Sequence, residues 1–272
     1  MLCIYTSDLH SRKTHFKRLL KLYEKHRPEL IIIGGDLFEY THDKEEQLRF
    51  LENYLKNFFT MFSVPIVILP GNCDWPVSID TLDKLKPSNI HIINRDKFIN
   101  INGLKIRGYE YITPPPFSQK HWVKRDLKED KVFVGENSYI TDKNGEIIKV
   151  EADYLNKIPS IEEDLEDTFT SDSIWVTHNP PYGTNLDIIH ENIHIGSKAL
   201  LKKIQDLKPK LVLSGHVHES PIMSGKYIDN VGDTTCINPG QADRFHGVIF
   251  AIDNKGKLNH LEHTIYGEYK KD

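Results

Sequence analysis

Apolar positions in the first hundred residues alternate between two periods. Residues 2–8 (LCIYTSD), 29–36 (ELIIIGGD) and 64–69 (VPIVIL) are short, dense apolar runs rich in β-branched side chains, the pattern of strands buried on both faces. Between them the spacing is helical. Residues 12–26 place Phe16, Leu19, Leu20 and Tyr23 on one stripe and end before Pro28, and residues 78–86 form a shorter helix stopped by Pro87. Residues 43–62 form a long amphipathic helix whose aromatic stripe (Phe50, Tyr54, Phe58, Phe59, Phe62) reads as core packing. Buried strands separated by helices predict parallel pairing through crossover connections.

The pattern then changes. Residues 89–111 (NIHIIN, KFININ, LKIRGYEY) read as three short strands joined by tight turns, a meander. Three prolines at 114–116 break the chain. Residues 117–157 are polar and lysine-rich, with a hairpin around the turn at 142–145, and read as an insertion able to cap an active site. Its Trp122, Lys124 and Arg125 fit either a basic surface hairpin or a lid over substrate. Core patterning resumes with a strand at 173–179, a helix at 197–207 capped by Ser197, and a strand at 210–216. The TTCINPG strand and a hairpin turning at NKGK finish the chain. Gln241, Arg244 and His246, after the NPG, fit either a cleft lining or a solvated loop, and the loop is the expectation. One domain over residues 1–272 is expected.

Composition narrows the function. The 272 residues are 39% hydrophobic and 27% charged, with a net charge of −4, and the pI is about 6.4. A nucleic-acid partner is therefore unlikely on global charge, although a local basic groove is not excluded. Three cysteines (Cys3, Cys73, Cys236) lie far apart with no CxxC, which points to a reducing compartment. No apolar run reaches the ~20 residues of a membrane span, and the start carries no basic leader, so a cytoplasmic protein without membrane contact is expected. Oligomeric state is open. Fourteen histidines, several beside carboxylates or glycines, are the unusual feature.

The core strands end in chemistry. The first closes on Asp8-Leu9-His10, the second on Gly35-Asp36, and the third on Gly71-Asn72-Cys73-Asp74; the later ones close on His178 and on Gly215-His216-Val217-His218. Sites in α/β sheets gather outside the carboxyl ends of strands. Period-two spacing at a strand end points Asp8 and His10 the same way, and likewise His216 and His218. Together with Asp36, Asn72 and His178 they make two carboxylates, one amide oxygen and four imidazoles. That set is too large for one tetrahedral zinc and suits two octahedral ions sharing a bridge.

In order, DLH, GDLFE, GNCD, THN and GHVH resemble the motifs of the calcineurin-like metallophosphoesterases, in the GNCD form found in small bacterial and archaeal phosphoesterases. The resemblance covers roughly residues 1–111 and 173–250. It implies an α+β fold, a four-layer α/β/β/α sandwich of the metallo-dependent phosphatase type, with two metals at its rim. Carried over by motif, Asp8, His10 and His218 would hold one ion, Asn72, His178 and His216 the other, and Asp36 would bridge them. Mn or Fe suits the mixed nitrogen and oxygen ligands best, and Zn, Co or Ni would fit. The family's reaction is attack of a metal-bridging hydroxide on a phosphoester.

Two divalent cations against Asp8 and Asp36 leave a net charge of +2, or +1 with hydroxide bound, which matches a phosphodiester monoanion. The expected substrate is a small phosphodiester or cyclic nucleotide. The alternatives are a nucleotide or sugar phosphomonoester, for which Arg12, Lys124, Arg125 or Arg244 would add charge, and a metal-free scaffold of the same fold. The segment GDLFEY lacks the arginine that protein phosphatases of the family carry after the acidic residue. Cys73, Asp74 and Glu39 are the candidate catalytic groups beside the ligands. Cys73 stands where relatives often hold a proton-donating histidine, and a thiol of pKa ~8.5 is a weaker acid there than an imidazolium.

Overall fold

In the computed structural model, which describes residues 1–253 and 256–269, the alternation of apolar side chains is divided between three cores. The first sheet contains β1 (Leu2–Thr6), β2 (Leu30–Ile33), β3 (Ile66–Ile68) and β4 (Ile90–Ile92), all parallel. The second contains β5 (Ile99–Ile101), β6 (Leu104–Tyr109), β9 (Ser173–Thr177), β10 (Leu211–Ser214), β11 (Ile228–Val231) and β12 (Thr234–Ile237). Its spatial order is β11-β12-β10-β9-β6-β5. A small hairpin of β7 (Tyr139–Thr141) and β8 (Ile147–Lys149) stands apart. The chain then returns to the first sheet as β13 (Val248–Ile252), β14 (Leu258–His263) and β15 (Gly267–Glu268), antiparallel beside β1. Asn254 and Lys255 of the expected NKGK turn lie outside the described residues.

Period-two alternation determines which core each side chain enters. Cys3, Tyr5, Leu30, Ile32, Val67 and Leu69 face inward and meet Ile106, Ile174, Val176, Leu211 and Leu213 of the second sheet. Their neighbours Ile4, Ile31, Ile33, Ile66 and Ile68 face outward beneath the helices α1 (Lys13–His26), α2 (Lys44–Phe50), α3 (Lys56–Phe59) and α4 (Pro76–Leu85). On the opposite side, Trp175, Val212 and Cys236 pack under α5 (Ile161–Thr168) and α6 (Lys198–Leu207). A single turn, α7 (Ser220–Ser224), follows the last strand-end histidine. The four layers are the expected α/β/β/α sandwich.

Local chemistry explains most boundaries. Ser160 closes a capping box with Glu163 at the start of α5, and Ser197 accepts from the Leu200 N–H at the start of α6. Pro76 occupies the first turn of α4, where its missing N–H costs nothing. The long aromatic helix is one path from Lys44 to Phe59, interrupted by a π turn at Leu51–Leu55. Its stripe packs as core: Phe16 of α1 meets Phe58 edge-on, with ring centroids 5.2 Å apart.

Three expectations change. The 89–111 meander is divided between the sheets, because β4 pairs with β3 in parallel while only β5 and β6 form a hairpin. Gln241 and His246 are buried rather than solvated; the Gln241 amide donates to the Ser7 carbonyl and accepts from the His246 N–H. Lys124 and Arg125 are buried rather than surface cations: Lys124 meets Asp164, and Arg125 meets the carbonyls of Leu155 and Ile158 and the Glu163 carboxylate (3.1 Å). Residues 117–157 bring a small core of their own (Val123, Val134, Val150, Leu155) with Ile112.

Just after β6, Glu110 is 3% exposed and accepts the Arg95 N–H at 2.9 Å. Burial raises its carboxyl from the ordinary 4.5 to about 7. The folded chain therefore retains a proton that the unfolded chain releases, and the stability this contributes is complete below about pH 4.5 and lost as pH rises through 7, on the order of 3 kcal/mol. Glu110→Gln keeps the acceptor and removes the ionisation. Urea unfolding is expected to show the variant more stable than wild type at pH 8 and closely similar at about pH 4, below the unfolded pKa; an equal difference at both pH values would refute the account.

Candidate metal centre

The carboxyl ends of the strands converge on one rim. Asp8 and His10 follow β1, Asp36 follows β2, Asn72 to Asp74 follow β3, His178 follows β9, and His216 and His218 follow β10. Their backbones turn abruptly. Asp8, His10, Asp36 and His216 have positive φ (60°, 44°, 50° and 65°), a left-handed conformation that non-glycine residues rarely adopt. Such strain costs on the order of 1–3 kcal/mol per residue and persists where surrounding structure enforces it. The neighbouring glycines allow the close approach: a Cβ on Gly71 would strike the Asp36 backbone and carboxylate, and one on Gly215 would strike Ser7 and Asp8.

The ligand atoms face one another. Those of Asp8, His10, Asp36 and His218 all lie within 4.8 Å. His10 Nε2 is 3.1 Å from His218 Nε2, and His218 Nε2 is 3.0 Å from Asp8 Oδ1. Asp36 turns one oxygen toward His10 (3.8 Å) and the other toward His178 (3.4 Å). His178 Nε2 is 3.1 Å from Asn72 Oδ1, and its ring lies 5.3 Å from that of His216. The structure thus gathers all seven predicted ligands at one rim, with Asp36 between the two halves.

The electrostatics fit a cation. His178 Nδ1 donates to the Gly34 carbonyl at 2.9 Å, so Nε2 faces two oxygens and requires something positive there. Burial would lower its pKa, yet Asp36 more than reverses that and lifts it to about 9, so a proton takes the place of an ion. Burial would likewise raise Asp8 and Asp36, but His218 holds Asp8 below the ordinary range, and His178 with His10 holds Asp36 well below it. Burial, reinforced by His178, pushes His216 down to about 3, leaving a neutral imidazole of the kind that binds metals. The buried Ser7 Oγ and His10 Nδ1 have no hydrogen-bond partner among the described residues.

The candidate catalytic residues occupy three different situations. Asp74 is fully buried and accepts the N–H groups of Phe38 and Gly71, both at 2.8 Å, which ties the Asp36 loop to the Asn72 loop. Burial and then Asp36 raise its carboxyl to about 7. Cys73 is 5% exposed; its N–H donates to Asp36 at 2.8 Å, and burial followed by Asp36 raises its thiol well above the ordinary value. Glu39 has an exposed side chain, and its N–H donates to Ser11 Oγ.

Two further residues organise this rim, Gln47, absent from the sequence expectations, and Trp122, expected in a surface hairpin or a lid. Gln47 of α2 donates to the carbonyls of Glu39 and Cys73 and accepts from the Trp75 N–H. Its signal was a glutamine on the buried face of an amphipathic helix. Trp122 of the insertion donates its indole N–H to the Asp74 carbonyl at 2.7 Å.

Comparison with known proteins agrees with this geometry. An uncharacterized protein of Methanocaldococcus jannaschii is 26% identical over 246 residues, 88% of each chain. One component of the nuclease SbcCD from Staphylococcus epidermidis is 27% identical over 120 residues, 44% of this chain and 31% of that one. Among solved structures, TT1561 of Thermus thermophilus shares the fold, with a TM-score of 0.54 and 16% identity over 95% of this chain and 96% of that one. The family profile described as calcineurin-like phosphoesterase matches residues 1–220, and this chain belongs to that family.

Proposed function

We propose that the chain is a dinuclear-metal phosphodiesterase acting on a phosphodiester or cyclic nucleotide. Asp8, His10 and His218 would hold one divalent ion, Asn72, His178 and His216 the other, with Asp36 shared. Mn or Fe suits nitrogen and oxygen donors without a thiolate. Bound there, the ions would supply nucleophile activation and neutralise charge on the phosphoryl oxygens. The chain's own part is positional. Gly34 fixes the His178 tautomer through Nδ1, the Cys73 N–H orients Asp36, and Asp74 fastens the two ligand-bearing loops together.

The observation that carries the diester reading is the fate of three of the four candidate cations; the fourth, Arg244, is exposed and faces α1. Lys124 and Arg125 are consumed by Asp164 and Glu163. Arg12 is turned to the Ala242 carbonyl (3.2 Å) and Asp243 (3.7 Å). A dianionic monoester would need such charges free, whereas a monoanionic diester does not. Residues 117–157 are proposed to wall the side of the site where Trp122 meets Asp74.

Turnover of bis-p-nitrophenyl phosphate and p-nitrophenyl phosphate by Mn²⁺-loaded protein tests this directly. The diester is expected to have the higher kcat/KM, and Asp36→Asn to lower it by more than about a hundredfold. A clear monoester preference would replace the reading with a phosphomonoesterase. Fewer than about one bound ion per chain after loading would return the metal-free scaffold.

The Cys73 thiol is offered as the group nearest a departing oxygen, and it is a weaker acid than an imidazolium. Cys73→His is expected to speed hydrolysis of diesters with poor alkoxide leaving groups while barely changing p-nitrophenyl esters, whose leaving group needs no proton. Equal effects on both, read from a leaving-group series, would remove Cys73 from proton transfer.

A further inference from the structure

The helical layer over the first sheet stops at α1. Beside it lies a groove of about 970 Å³ between the exposed side of α1 and the edge formed by β13, β14 and residues 243–245. Lys17, Arg18, Lys21 and Lys25 stand exposed along the helical wall, and Arg244 faces them from the other. Against these five cations the lining carries Asp243 and Glu262, an excess of three positive charges in a chain of net charge −4. Some surface lysines elsewhere are paired, as Lys44 with Glu146, Lys105 with Asp172 and Lys157 with Asp153; what distinguishes the groove is the concentration of its cations along one recess. Among the described residues none of the five groove cations is in an ion pair; the pairing at this edge is Arg12 with Asp243. The lining between the walls includes Leu22, Phe245 and Ile249.

The groove starts beside the metal centre. Thr14 and His15 form its near end, four and five residues after His10, and His15 Nε2 lies 3.4 Å from the Asp243 carbonyl on the opposite wall. On the opposite wall, the segment carrying Arg244 is bonded through the Gln241 N–H to the carbonyl of His218. From Thr14 to Lys25 the helix rises about 16 Å, at ~1.5 Å per residue. At ~3.4 Å per nucleotide of a stacked strand, that length spans four or five phosphates.

We propose that this groove binds the backbone of a single-stranded nucleic acid leading away from the metal centre, which would make an oligonucleotide the substrate class of the proposed phosphodiesterase. This rests on the diester reading for cleavage but not for binding. Unpaired cations repeated along a helix suit a row of phosphates, and the exposed Ile265 of the lining offers apolar surface to the bases. A flat anionic bilayer does not enter a recess, and a compact phosphoester would leave most of this length unused. The global pI conceals the groove because acidic residues elsewhere cancel it.

The test is fluorescence anisotropy of a labelled, phosphorothioate-linked twelve-residue oligodeoxythymidylate with the Mn²⁺-loaded full chain. With three net charges engaged, log K is expected to fall with log[salt] at a slope of about −2, since each phosphate on a single strand contributes ~0.7. Lys21→Glu/Lys25→Glu is expected to weaken binding at least tenfold while keeping the wild-type melting temperature. The charge-matched Lys84→Glu/Lys226→Glu, away from the groove, should bind as wild type. Equal loss in both variants would reduce the effect to net charge and overturn the proposal. So would displacement of the strand by inorganic polyphosphate or phosphatidylserine vesicles as readily as by unlabelled strand at equal phosphate. Failure of wild type to hydrolyse bis-p-nitrophenyl phosphate would overturn the diester reading separately, because strand binding is measured without turnover.

Discussion

The rim is organised around two buried carboxylates, Asp8 and Asp36, which are 0% and 1% exposed. Removing a carboxylate from water costs several kcal/mol unless its charge is answered locally. Here the answer comes from histidines on strands of the other sheet: His218 for Asp8 and His178 for Asp36. The pairing therefore does two things at once. It compensates the charge, and it couples the ends of β1 and β2 to those of β9 and β10, so apolar packing between the inner faces is joined by polar contacts at this rim. The same oxygens and nitrogens are the ones a divalent cation would bind, so protein stability and metal capacity draw on one set of contacts.

That constraint explains the backbone. Short side chains on strands cannot bring seven donors from five chain segments together unless the strands end in sharp turns. The left-handed residues Asp8, His10, Asp36 and His216 supply those turns, and Gly71 and Gly215 clear the space they turn into. Holding such geometry requires bonds from outside the ligand set. Asp74 and Gln47 provide them, each joining the segment after β2 to the segment after β3.

Much of this was legible in the sequence, for identifiable reasons. β1, β2, β3, β9 and β10 stood out because strands buried on both faces are apolar at most positions, and each is followed within a few residues by a polar ligand. The ligands were legible from those exits. The β4–β5 crossing was not, because short alternating strands look alike whether they continue one sheet or begin another. The left-handed angles were hinted at only by adjacent glycines. Gln47 was hidden because one buried polar residue on a helix resembles a surface one until its partners are known.

Charge was the least transferable reading, and both departures have one cause: sequence counts charges, while function depends on which are paired. Lys124 and Arg125 appeared available to a phosphate, but Asp164 and Glu163 of α5 engage them, and Asp164 also takes Arg95 and the Tyr109 hydroxyl. A buried cation so engaged fastens the insertion to the second sheet and leaves little field in the cleft. The lysines of α1 drew no functional reading from the sequence, yet they lie beside a recess in which few carboxylates oppose them. An unpaired cation in a recess keeps its field, because low-dielectric walls focus it rather than letting water disperse it. The pairing thus strips positive charge from one side of the rim and leaves it along the other.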